Sequence, residues 1–203
     1  MIERFLKQTT FTSVEDYNKH LEFIIPENFN FAYDVMDAWA EEAPGKLALL
    51  WTNDRGEEHR YTFADLRRLT DRAASYYSTL GIGRGDMVML ILKRRIEWWT
   101  SILALHKLGA VAIPATHMLT KHDIVYRNTR ASVKAIICVD DAYVTEQIRQ
   151  AMPESPTVEV YVSVADQGQA VAEGFRNWQS EWCQAPPFTR PVHVNDNDDT
   201  MLM

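Results

Sequence analysis

A chain of 203 residues, 46% hydrophobic and 24% charged, has the composition of a globular protein and enough length to bury a core. Its net charge is -7, and its basic residues are scattered or in short groups such as Lys93, Arg94 and Arg95, a pattern that argues against nucleic acid as a partner. Cys138 and Cys183 stand far apart and outside any Cys-x-x-Cys pair, which argues against a disulfide scaffold and against a zinc site.

Met1 to Ser13 lacks the continuous apolar core of a signal peptide, and no run is long and apolar enough to span a bilayer. The expected location is the cytoplasm. Residues 1–30 show no clean period and read as an extension wrapped over the body. Phe31, Val35, Met36 and Trp39 then recur at helical spacing up to Pro44 and Gly45, which predicts a helix over 31–42. Leu47 to Trp51 and His59 to Thr62 flank Asn53, Asp54, Arg55 and Gly56, the pattern of a hairpin.

Thr62 and Asp65 have the spacing of a capping box. Phe63, Leu66, Leu69, Ala73, Tyr77 and Leu80 follow on one helical face that ends at Gly81. Met87 to Leu92 is continuously apolar and predicts a strand covered on both sides. Ile96 to His106 is a helix closing at Gly109, and Ala110 to Ile113 a second strand. Thr120 and Asp123 open a further helix to about Arg130, Val133 to Val139 is a third strand, and Asp141 caps a helix through Ala151. Thr157 to Val164 reads as a fourth strand, placed at a sheet edge by Glu159. Val171, Phe175, Trp178 and Trp182 suggest a last helix over 170–182.

Alternating strands and helices imply an α/β fold, a layered, mostly parallel sheet with flanking helices. The strands at 87–92, 110–113 and 133–139 are expected to be parallel members of one sheet. Residues 31–183 form the α/β body in this reading. Residues 184–203 are a connector rich in proline and aspartate that ends in an apolar strand starting at Thr200, and the chain reads as cut off there.

The short motifs carry little chemistry. Gly81 to Gly85 resembles a phosphate cradle, yet it runs from helix into strand, the reverse of what a dinucleotide loop needs. His117 and His122 lack the i, i+4 spacing of a helical metal pair. No nucleophile elbow or Walker-type loop occurs.

A longer pattern says more. FNFAYDVMDAWAEEAPGKLALLW from Phe29, YTFADL from Tyr61, GIGRGDMVMLILKRRIEWW from Gly81 and LHKLGAVAIPATHMLTKHDIVYR from Leu105 resemble, in one order and register, the opening of the adenylate-forming enzymes. The paired tryptophans and the stretch from Ile113 to Arg127 are most similar to the AMP-forming acyl-CoA synthetases of medium and short chain length. This resemblance implies the N-terminal portion of that family's large domain. The complete enzyme would activate a carboxylic acid with ATP and magnesium to an acyl-adenylate and pass the acyl group to CoA.

The family's phosphate loop, Thr-Glu segment, ribose-binding aspartate and catalytic lysine have no matching positions here. The resemblance therefore implies no catalytic residue and no metal ligand in this chain. The 203 residues alone are expected to be inactive, to bind no cofactor tightly and to self-associate. The loop after the Ile-Pro strand end, Thr116, His117 and Met118, is the candidate CoA-channel contact; otherwise it is a strand-end turn in which Met118 packs against its neighbours. The alternative function is a self-standing scaffold or regulatory domain of the same fold that binds a partner protein.

Overall fold

The computed structural model describes residues 2–26 and 28–191; the strand expected from Thr200 lies outside the described residues. The N-terminal segment folds back on itself. Lys7 N–H donates to Glu22 O (3.1 Å) and Ile24 N–H to Phe5 O (2.8 Å), around a short helix α1, Val14–His20, capped by Ser13.

The body begins at Asn30. Its side-chain oxygen accepts from Ala32 N (3.0 Å) and its amide donates to His106 O (2.9 Å). The helix expected over 31–42 is present in two windings, a π-helix Phe31–Asp37 and then α2, Ala38–Glu42. Strands β1, Leu47–Thr52, and β2, Glu58–Thr62, pair antiparallel as the expected hairpin. Helix α3, Phe63–Thr79, starts on the capping box: Thr62 Oγ1 accepts from Asp65 N–H (3.2 Å) and Asp65 Oδ2 accepts from Thr62 N–H (3.1 Å). Each satisfies a donor that helix geometry leaves unpaired.

The main sheet holds β3 (Met87–Ile91), β4 (Val111–Pro114), β5 (Ala135–Val139), β6 (Val160–Val164) and β7 (Arg176–Asn177), in the order β4-β3-β5-β6-β7, with all its pairs parallel. Helix α4, Ile96–Leu108, joins β3 to β4 and ends at Gly109 with φ 69°, a left-handed value that glycine adopts without steric penalty. Helix α5, Lys121–Ala131, leads into β5 and α6, Ala142–Ala151, links β5 to β6.

Side-chain alternation along each strand feeds two cores. Val88, Leu90, Ala135 and Ile137 pack with Ala73 and Tyr77 of α3 and Leu105 of α4; Met89, Ile91, Ile136 and Cys138 pack with Ile124 of α5 and Val144 and Ile148 of α6. Each fully buried aliphatic side chain contributes about 1.5–3 kcal/mol, so these strands hold only when helices cover both faces. That is why their sequences are continuously apolar.

Two expectations need correction. Residues 170–182 are mostly not helical: the chain passes through β7, then one turn, α7, Trp178–Glu181, and a 3-10 turn, Trp182–Gln184. Nor is β6 the edge, since β7 pairs along its outer side and Glu159 falls just before β6 begins. The connector lies along α3 as far as it is described, with Ser75 Oγ donating to Pro186 O (2.6 Å).

Candidate functional site

In a doubly wound sheet ligands bind outside the carboxyl ends of the strands, where successive connections leave in opposite directions. Here the β3-to-β4 connection steps to one side and the β5-to-β6 connection to the other. The switch point therefore lies between β3 and β5, below the loops 92–95 and 140–141.

Polar groups converge there. Lys93 has φ 51°, a left-handed conformation unfavourable for a residue with a Cβ, and its Nζ is 2.7 Å from Asp141 Oδ2. Donation from Lys93 lowers the Asp141 carboxyl below its ordinary value, and Asp141 also accepts from Tyr143 N–H (3.0 Å) at the start of α6. Arg95 reaches Glu97 (Nε to Oε2, 3.1 Å) and Asp166 (Nη1 to Oδ1, 3.0 Å). Burial works against its charge, but the two carboxylates prevail and raise its pKa. Trp51 Nε1 donates to Arg94 O (2.7 Å) and fastens the hairpin over this end.

Beneath the hairpin a cleft of about 630 Å³ opens between Trp51, Arg55, His59, Tyr61, Arg95 and Asp166. Burial, then the nearby Glu97 and Asp65 charges, raise the Tyr61 phenol, so it remains a neutral donor. Sequence reading did not find this cleft. Its walls come from segments far apart in the chain, joined by pairs such as Trp51 with Arg94 and Arg95 with Asp166.

The candidate loop Thr116, His117 and Met118 follows β4 at the same end of the sheet, and all three residues are exposed. Met118 N–H donates to Thr116 Oγ1 (3.3 Å). The reading in which Met118 packs as a turn filler is corrected, because 68% of the residue is exposed. His122 is exposed as well, and among the described residues no group of three or more His, Cys, Asp or Glu side chains could hold a metal ion. The thiols differ: Cys138 is buried and Cys183 exposed.

A family model described as "AMP-binding enzyme" matches residues 36–203. The chain is 39% identical over 122 residues to acyl-coenzyme A synthetase ACSM5, mitochondrial, of Rattus norvegicus, covering 57% of this chain and 21% of that protein. It is 38% identical over 136 residues to ACSM3, mitochondrial, of Homo sapiens, covering 64% and 23%, and 31% identical over 172 residues to human ACSM1, mitochondrial, covering 82% and 29%. The chain thus spans about a quarter of the length of these relatives. The solved structure of the anthranilate CoA ligase AuaEII in complex with anthranoyl-AMP superposes with a TM-score of 0.73 at 22% identity, covering 86% of this chain and 32% of that one. That likeness establishes the fold.

Proposed function

We propose, since this chain belongs to the AMP-binding enzyme family, that the complete polypeptide is an AMP-forming acyl-CoA synthetase for short- or medium-chain carboxylic acids. The observation that carries the reading is the 39% identity to a curated acyl-coenzyme A synthetase. In such a reaction the carboxylate attacks the α-phosphate of ATP and releases pyrophosphate. The CoA thiol then attacks the acyl carbon, loses its proton and expels AMP. Catalysis of this kind rests on positioning and on stabilising oxyanion charge.

The residues described here would build the frame, with the strand-end loop Thr116, His117 and Met118 beside the CoA channel. ATP, CoA and magnesium are ligands of the complete enzyme in this reading, and the 203 residues alone do not adenylate. Exposed apolar side chains of the isolated chain, such as Ile25, Trp99 and Met118, favour self-association. The cytoplasm is the proposed location, supported by two thiols that remain unpaired; imaging of the tagged complete protein tests it, and a mitochondrial signal would replace it.

The test of function is acid-dependent exchange of labelled pyrophosphate into ATP by the complete protein, screened from acetate to dodecanoate. Exchange with short or medium acids is expected, and exchange only with an amino acid or an aromatic acid would overturn the substrate assignment. Calorimetric titration of the 203-residue chain with Mg-ATP should show no binding in the micromolar range.

A further inference from the structure

The cleft under the hairpin is floored by a row of rings. Trp51 and His59 are directly opposed in the β1-to-β2 register, and Tyr61 follows His59 by two residues on the same face. Ring centroids are 5.4 Å apart from Trp51 to His59 and 6.5 Å from His59 to Tyr61, with interplanar angles of 41° and 35°. Rings inclined in this way, side by side on one sheet face, make a shallow platform and not a cage. One end of it is pinned, because the Trp51 indole N–H is committed to Arg94 O (2.7 Å).

The wall facing the rings is polar, and its charges answer one another. Arg55 and Arg95 stand there with Glu57, Glu97 and Asp166. Glu97, buried at the base, accepts from Arg95 Nε (3.1 Å) and Gln179 Nε2 (3.0 Å), and Asp166 accepts from Arg95 Nη1 (3.0 Å). A guanidinium carries more N–H groups, and a carboxylate more lone pairs, than these contacts use. The Tyr61 phenol stays a protonated donor, raised by burial and then by Glu97 and Asp65, and its hydroxyl meets no partner among the described residues. The cleft therefore offers both donors and acceptors on groups whose charge is already matched.

A ligand that fits both sides is neutral, has a flat C–H face and carries a rim of groups that donate and accept. Hydroxyls do both. An anion would meet the three carboxylates and a cation the two arginines, and a charge left without its own partner is costly to desolvate. The C–H face of a sugar ring bears the slight positive charge that the negative face of an aromatic ring attracts. We propose that this cleft binds a neutral saccharide, with its ring faces on Trp51, His59 and Tyr61 and its hydroxyls on Arg95, Asp166 and the Tyr61 phenol. The volume of about 630 Å³ lies in the range of small-molecule sites, and a pinned platform lowers the cost of ordering the site. The inference does not rest on the acid-activating function, and either can fail while the other stands.

The test titrates the 203-residue chain at neutral pH with cellobiose, its acid analogue cellobiouronate, choline and adenosine, by calorimetry and by proton-nitrogen spectra of the indole N–H groups. Cellobiose should bind at least about fivefold tighter than the acid or choline, and tighter than adenosine, and should move the Trp51 indole signal, assigned with Trp51→Phe. Tyr61→Phe removes one hydroxyl and keeps the ring, while His59→Ala removes the middle of the platform at an exposed residue. Each should weaken cellobiose several-fold with the circular dichroism spectrum unchanged. If Trp51→Phe does not fold, the calorimetric losses in these two variants decide. No binding of cellobiose, or binding unaltered in both variants, overturns the proposal. So does tighter binding of choline, which would make the rings a cation site, or of adenosine, which would make them a base-stacking site.

Discussion

Replacing Lys107 by Met tests how this fold tolerates a buried charge. The Lys107 side chain is fully buried, with its ammonium 2.8 Å from Asp37 and 2.6 Å from Asp71, whose side chains are 11% and 33% exposed. It also sits 5.7 Å from the Tyr33 ring centroid. Methionine preserves the volume and removes the charge, leaving two carboxylates facing each other without their shared ammonium, with only the weaker pull of Arg67 remaining on Asp37. Removing one partner of a buried pair costs about 3–5 kcal/mol; because Asp71 retains contact with water, the low end, about 3 kcal/mol, is expected.

For a domain of this size that loss lowers the melting temperature by about 6–12 °C. The cost should also depend on pH. Burial raises the Asp37 carboxyl above its ordinary value, against the pull of Lys107, and without Lys107 it rises further. An acid whose folded pKa is raised binds its proton more tightly in the folded state, so stability falls as pH climbs from the unfolded towards the folded value. The penalty of Lys107→Met should therefore be smaller at about pH 5 than at about pH 8, and Asp37→Asn in the same chain should recover part of it at the higher pH. Urea melts followed by circular dichroism across that range measure both effects. A cost below about 1 kcal/mol, or one that does not change with pH, would refute the reasoning.

Three further outcomes are expected. Thr62→Ala removes the hydroxyl half of the capping box at α3 and should cost about 1 kcal/mol in the same melts, with Thr62→Ser largely retaining stability. Burial pushes the Cys138 thiol up to about 12, against donation shared with Ser163, so iodoacetamide at neutral pH should label exposed Cys183 and leave Cys138 unmodified by peptide mass spectrometry until the chain is unfolded. In the complete enzyme, Met118→Glu places an anion in the exposed loop after β4 and should raise KM for CoA several-fold while leaving acid-dependent pyrophosphate exchange unchanged; an unaltered KM would remove this loop from the CoA channel.

Much of the sheet was legible because its signals are local. β3 and β5 are apolar throughout, since helices cover both faces, and both capping boxes and the Gly109 stop follow from spacings of a few residues. The stretch 170–182 misled because Phe175, Trp178 and Trp182 share helical spacing without sharing a core. Phe175 packs into the core with α5 and α6, whereas Trp178 and Trp182 pack into the core with α3 and α4. One helix cannot point at both sides of a sheet, so the chain rounds the sheet edge through Gly174 (φ 89°) and β7. The order β4-β3-β5 that creates the switch point is also non-local. Each crossover could be read from the sequence, but the side of β3 on which β5 pairs could not, and the cleft under the hairpin depends on that choice.

The electrostatics of the switch point bear on how chemistry could occur there. A helix N-terminus beside a strand end commonly receives a phosphate, yet the first free N–H groups of α6 already hold the carboxylate of Asp141, which Lys93 neutralises. Arg95 is engaged by Glu97 and Asp166 in the same way. A triphosphate approaching these loops would have to displace carboxylates from both cations and would meet the repulsion of the acids it released. The Lys93–Asp141 and Arg95–Asp166 pairs are open to solvent and each worth little in stability, while Glu97 is buried against Arg95, so the shared consequence is one of charge matching: this end of the sheet presents shape, a strained backbone at Lys93 and satisfied ions. Under the proposed function, such a frame holds neighbouring loops in register, and the charge that stabilises the transferring phosphoryl group has to come from other parts of the complete enzyme.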